Sequence, residues 1–192
     1  MIKQKFENKI KEIIFFFEQL KYNKNFSSLC LKSIKAIKAN KKIIFIGNGG
    51  SASDSQHLAT ELTCKFRKKR VALPGIALTT DTSALTAIGN DFGFKYIFSR
   101  QIEALGNKGD ILVAISTSGN SKNILEASKV AKKKGIITFC FVGNEGGKLK
   151  RYIDYPIILK SNKTDILQVA EIAIGQIYCS IVENFFFKDE KN

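Results

Sequence analysis

Apolar side chains recur every three or four positions over the first forty residues. Ile2, Phe6, Ile10, Ile13, Phe17 and Leu20 trace one stripe, which predicts a helix from residue 2 to about 21. A second helix is expected over 26–39, with Ser27 or Asn25 as its cap. From Lys41 the pattern changes to short apolar runs bounded by glycine and polar residues. Lys42–Ile46, Gly75–Thr79, Asp110–Ser116, Ile136–Val142 and Tyr155–Leu159 read as buried strands. Helices are expected between and after them: about 53–66, from Asp81 or Thr82 to near Gly89, 94–105, 122–134 with Gly135 as the stop, and 165–187. Strands alternating with helices predict an α/β fold, a five-stranded parallel sheet flanked by helices with right-handed crossovers. The expected division is an N-terminal helical arm over 1–40 and one domain over 41–188. The arm is rich in phenylalanine for a surface helix, so these rings should pack on the domain or on another subunit.

Composition narrows the class. A chain of 192 residues that is 44% hydrophobic can build a core without disulfides or metal. Cys30, Cys64, Cys140 and Cys179 show no C-x-x-C spacing and read as reduced, mostly buried thiols of a cytoplasmic protein. The first turns mix charge with apolar residues, unlike a signal peptide, and no apolar run approaches the ~20 residues of a membrane span, so no membrane partner is expected. The net charge of +14 comes from lysines scattered along the chain. The densest run is 65–70, with no nucleic-acid-binding module around it, so nucleic acid is not an expected partner.

Candidate chemistry lies in the loops after the strands, where open α/β sheets bind ligands. Gly47-Asn48-Gly49-Gly50-Ser51 links a strand to a helix, and its glycines permit close backbone approach to an anion at the helix start. It is neither the G-x-G-x-x-G pattern nor a Walker loop. Ser116-Thr117-Ser118-Gly119-Asn120-Ser121 is a second such loop. Ser121 suits a helix cap, but Ser116, Thr117 and Ser118 exceed what a turn needs and suit a phosphate. Gly89-Asn90-Asp91 is a third polar segment. His57, the only histidine, and Glu61 stand four apart and share a helix face.

With His57–Leu62, Gly89–Phe94, Phe98-Ser99-Arg100 and Glu103–Gly106, these segments resemble the sugar isomerase (SIS) domain family and, within it, the phosphoheptose isomerases, from about residue 40 to 150. The resemblance implies a homotetramer with active sites shared between subunits. It implies conversion of sedoheptulose 7-phosphate to a glycero-manno-heptose 7-phosphate through an enediol, toward the heptose of lipopolysaccharide. On it, Ser51, Ser116, Ser118 and Ser121 would hold the phosphate, with Thr117 beside them. Asn48, Gly49, Gly50, Asn90, Asp91 and Gln168 would line the sugar. Glu61 would be the base and, with His57, a zinc ligand.

The closing helix departs from the family pattern, which has Arg-Ile-Gln-Glu-x-His and a second His eight residues after that Gln. Here Gln168 is kept, Ile166 replaces the Arg, Glu171 the first His and Gln176 the catalytic His. A carboxamide is a poor metal ligand and does not shuttle protons near neutral pH. Zinc would be left with His57, Glu61, Gln168 and the altered Gln176. Glu171, one turn from Gln168, reads as a solvated helix face ahead of a replacement acid. Two other functions fit: a non-catalytic SIS adaptor of the replication initiator protein, or an isomerase of another sugar phosphate. Glu61 separates the adaptor from the enzymes, because an adaptor has no use for a carboxylate there.

Overall fold

The computed structural model describes residues 1–187; position 188, where the expected domain ends, and the lysine-containing tail lie outside the described residues. Strands β1 (Ile43–Ile46), β2 (Gly75–Ala77), β3 (Ile111–Ser116), β4 (Ile137–Gly143) and β5 (Tyr155–Leu159) form one sheet in the order β2-β1-β3-β4-β5. All pairings are parallel. Every residue of β1 and β3 is buried, which is why these strands read as unbroken apolar runs.

Alternate strand residues face two separate cores. Ile43, Phe45, Val113, Phe139 and Phe141 meet helices α2 (Lys24–Lys38), α3 (Gly50–Thr63) and α7 (Thr164–Phe186). Ile44, Ile46, Leu112, Ala114 and Val142 meet α5 (Ser99–Leu105) and α6 (Lys122–Lys133). Phe45, Phe139 and Phe141 are fully buried, each worth about 2–3 kcal/mol in burial alone. Strand order reverses between β1 and β3, so the loops leaving their carboxyl ends diverge and open a crevice there.

Several boundaries differ from expectation for local reasons. Helix α2 starts at Lys24 with Asn23 as its cap, accepting from the Asn25 amide at 2.8 Å, in place of Ser27 or Asn25. Asn25 instead donates to the Pro156 carbonyl at 2.7 Å, tying the arm to β5. Pro156 stands within β5, an edge strand where a missing N–H is tolerated. Helix α3 begins at Gly50, about three residues early, because Gly49 at φ 55° turns the chain directly into it. Helix α4 (Thr82–Asp91) is capped by Asp81 and runs past Gly89, so Asn90 and Asp91 sit in its last turn and not in a loop. The segment expected as one helix over 94–105 is a short 3-10 turn, 94–96, followed by α5.

The arm helix α1 (Ile2–Gln19) packs Phe16 and Phe17 on the core but exposes Ile2, Phe6, Ile10, Ile14 and Phe15. Cys64 is exposed, unlike the other three cysteines. Contrary to the expectation that no segment is long enough, α7 is apolar enough by length and composition to cross a bilayer, with mean hydropathy 1.4. Its apolarity has another use: Leu167, Ala170, Tyr178 and Val182 lie in the core shared with α2 and α3.

Candidate active site

Two loops frame the crevice between β1 and β3, and side chains far apart in sequence join them. Asn48, after β1, exchanges two hydrogen bonds with Asn123 in the first turn of α6, at 3.0 and 2.8 Å. Asn123 also accepts from the Ile124 amide. Across the crevice, Ser116 Oγ accepts from the Gly119 amide and Ser118 Oγ from that of Asn120, each at 3.2 Å. These bonds shape the loop into a concave turn. Ser121 stands at the cap of α6 without a side-chain capping bond, so its hydroxyl does not serve the helix end. Ser51 lies in the first turn of α3, where amide groups and the helix dipole favour an anion.

Helices α3 and α7 run in parallel, side by side, and bring the remaining candidates together at successive heights. At the top, Gly50 abuts Gln168: a Cβ on Gly50 would lie 2.3 Å from Gln168 Nε2. One turn lower, Ser51 Oγ donates to Glu171 Oε2 at 3.2 Å. Lower again, Gly175 lets the helices close up, since a Cβ there would lie 2.5 Å from Leu58 Cδ1. At that height three polar groups converge. His57 Nε2 is 3.0 Å from Glu61 Oε1, and Gln176 Nε2 is 2.9 Å from His57 Nε2 and 3.2 Å from Glu61 Oε1. The nitrogen and oxygen of a carboxamide are interchangeable by a half-turn, so either end of Gln176 can face this point. The His57 side chain is 51% exposed and that of Glu61 only 16%, which leaves the imidazole at the rim and the carboxylate inside.

Gln176 therefore meets His57 and Glu61 directly. Gln168 lies against Gly50, while His57 and Glu61 stand roughly two and three turns further along α3. Asn90 and Asp91 bond each other at 2.8 Å on the exposed end of α4.

Glu171 overturns the expectation of a solvated face, because it is fully buried. Burial pushes its pKa to about 8; the Ser51 hydroxyl opposes the rise and the charge of Asp54 adds to it. Glu171 Oε1 and Asp54 Oδ2 are buried without a partner among the described residues. Burial lifts Asp54 to about 6, against the pull of His57. Glu171 kept protonated near neutral pH avoids two neighbouring buried charges.

Asn123, Asp54 and the burial of Glu171 were not singled out by sequence pattern. Asp54 carried a readable signal, since residues 54, 57 and 61 follow the i, i+3, i+7 spacing of one helix face. Asn123 carried none, because its partner stands 75 residues away.

Comparison with known proteins places these features in context. A family described as SIS domain matches residues 5–143. The chain is 54% identical over 157 residues to the phosphoheptose isomerase of Clostridium acetobutylicum, covering 82% of this chain and 80% of that protein. It is 47% identical over 193 residues to the phosphoheptose isomerase of Sulfurimonas denitrificans, covering 100% and 96%. The structure of phosphoheptose isomerase from Neisseria gonorrhoeae matches with a TM-score of 0.89 at 35% identity, over 96% of this chain and 100% of that one. That from Francisella tularensis matches at 0.86 and 32%, over 95% and 96%.

Proposed function

The chain belongs to the SIS domain family and to its phosphoheptose isomerases, and on that premise we propose that it converts sedoheptulose 7-phosphate to D-glycero-D-manno-heptose 7-phosphate, a step toward the heptose of lipopolysaccharide. The observation that carries the reading is the convergence within 3.2 Å of Gln176 on α7 with His57 and Glu61 on α3, the helix whose N-terminus opens onto the serine-rich crevice. The dimensions agree. From Ser51 to His57 is roughly 9 Å along the helix axis. The bonds from C1 of a heptose 7-phosphate to phosphorus, advancing roughly 1.2 Å each, span about 10 Å.

The phosphate would rest on the hydroxyls of Ser51, Ser116, Thr117, Ser118 and Ser121, at the N-termini of α3 and α6. Asn48, Gly49, Gly50 and Gln168 would line the sugar. Asn90 and Asp91, on the exposed end of α4, would reach a site of another subunit. Exposed Phe6 and Ile10 on α1, and Ile177, Ile181 and Phe185 on α7, support assembly, which we take to be a cytoplasmic homotetramer with shared sites.

In the reaction the Glu61 carboxylate takes the proton from C1 and returns it to C2. The C1 hydroxyl loses its proton to become the aldehyde, and the C2 oxygen gains one. While Glu61 holds the carbon proton, His57 beside it is the group placed to carry the other proton between the oxygens. Gln176 Nε2 cannot carry one, but it can donate a hydrogen bond to the oxygen where negative charge develops. Zinc, if bound, would be held by His57, Glu61 and the amide oxygen of Gln176 and would polarise the sugar oxygens; three protein donors and an open position suit a catalytic site. Among the described residues no cluster of three His, Cys, Asp or Glu side chains is present, so the third donor of such a site would be the amide oxygen of Gln176, a weaker ligand than the imidazole of the family pattern.

The test is turnover of sedoheptulose 7-phosphate by purified protein, with and without added zinc, beside Glu61→Gln. Turnover that disappears in the variant is expected. Tight binding of the sugar phosphate without turnover would move the assignment to another sugar phosphate or to a non-catalytic adaptor, the reading that Gln176 at the His position favours.

A further inference from the structure

Glu61 stands close to the end of α3, where helix carbonyls lose their intrahelical partners. Arg70 occupies that end. Its Nη2 donates to the carbonyl of Glu61 itself at 2.7 Å, and its Nη1 donates to the carbonyls of Leu62 and Val71 at 2.8 and 2.9 Å. Its Nε pairs with Glu183 Oε1 at 2.8 Å, and both side chains are almost wholly buried, at 1% and 2% exposed. Glu183 is on α7, two turns beyond Gln176. Its carboxylate also accepts from the amides of Phe66, Arg67 and Lys68 at 2.9, 2.8 and 3.1 Å. One buried pair thus fastens the end of α3, the segment after it and the far end of α7.

We propose that Arg70 and Glu183 are positioning residues for the reaction, holding the carboxylate of Glu61 at the height on α3 where it meets Gln176 on α7. The proposal rests on Glu61 acting as base. Three observations converge on it. The guanidinium contacts the backbone of the base residue directly. Its anchor lies on the helix that supplies Gln176. The two contacts of Gln176 with His57 and Glu61, 2.9 and 3.2 Å, depend on the axial register of two parallel helices, and a slip of one residue's rise, about 1.5 Å, would break them. A buried ion pair is a poor device for stability alone, since apolar residues of similar volume often hold a fold as well. A fully hydrogen-bonded pair with a planar fork does what apolar packing cannot, which is to set one geometry.

The double variant Arg70→Met/Glu183→Leu, which fills the volume without leaving an unpaired charge, is compared with Arg70→Lys and the wild type. Three quantities are read: thermal unfolding, kcat and KM for sedoheptulose 7-phosphate, and the proton NMR signal of the single imidazole. The expected result is a folded double variant whose kcat falls about ten- to a hundred-fold while KM stays within about two-fold, as for a displaced catalytic group. The His57 signal moves from its wild-type position, and Arg70→Lys falls between. A folded variant with wild-type kcat and an unmoved His57 signal overturns the proposal. So does a kcat that drops only with the unfolded fraction. If the double variant does not fold, Arg70→Lys is judged by the same two criteria at a temperature where it is folded. A wild type that does not turn over sedoheptulose 7-phosphate refutes the functional reading instead, and the His57 signal still decides whether the pair sets the register.

Discussion

Replacing Glu171 by Gln should make the protein more resistant to rising pH. Glu171 is fully buried, accepts one hydrogen bond from Ser51 and leaves its other oxygen without a partner among the described residues. Burial raises its pKa from 4.5 to about 8. Between those values the unfolded chain has released the proton that the folded protein still holds. The folded state therefore binds more protons, and stability falls as pH rises, by about 1.4 kcal/mol per unit while the difference is complete. Asp54, lifted to about 6, adds a slope of the same sign at lower pH in both proteins, so the comparison belongs above pH 6. Between pH 6 and 8 the wild type should lose about 2 kcal/mol relative to Glu171→Gln, a sizeable part of a total of about 5–15 kcal/mol. The amide keeps an acceptor for Ser51 and offers an N–H to the other side, so little packing is lost. Urea unfolding followed by far-UV circular dichroism across this range measures it. Parallel stability curves for the two proteins would refute the argument, because they would mean that Glu171 ionises in the fold as it does in the unfolded chain.

Two further outcomes follow from the site. Gln176→His puts a second imidazole beside His57 and Glu61 and should raise zinc affinity at least about ten-fold by titration calorimetry; an unchanged affinity would show that the ion does not bind at this point. Asn123→Ala removes both bonds to Asn48 and leaves that half-buried amide unpaired, so KM for the sugar phosphate should rise about ten-fold with kcat nearly kept, and stability should fall by about 1–2 kcal/mol. A KM unchanged within error would mean that this bridge does not shape the crevice.

Much of this protein was legible in its sequence, because the relevant signals are local. Strand runs such as Ile43–Ile46 and Ile111–Ser116 announce a parallel sheet, since only strands covered on both faces lack polar alternation. Glycine and hydroxyl residues after β1 and β3 mark the crevice, because the carboxyl ends of such strands are where ligands have access. His57 and Glu61 share a face by helical period alone, and the structure sets them 3.0 Å apart. The closing helix was different. Helix α7 is apolar on most of its surface, so its period does not say which side meets α3, and Glu171 could be taken for a solvated residue when it is buried against Ser51. Gln168 and Gln176 look alike in sequence as possible ligands. Only the parallel packing of α3 on α7, closed up at Gly175, assigns one to Gly50 and the other to His57 and Glu61. Likewise the Asn48–Asn123 and Arg70–Glu183 pairs join residues 75 and 113 positions apart. A periodicity reports which face a residue occupies on its own element; which element it meets, and at what height, is decided by how whole helices and strands pack on one another.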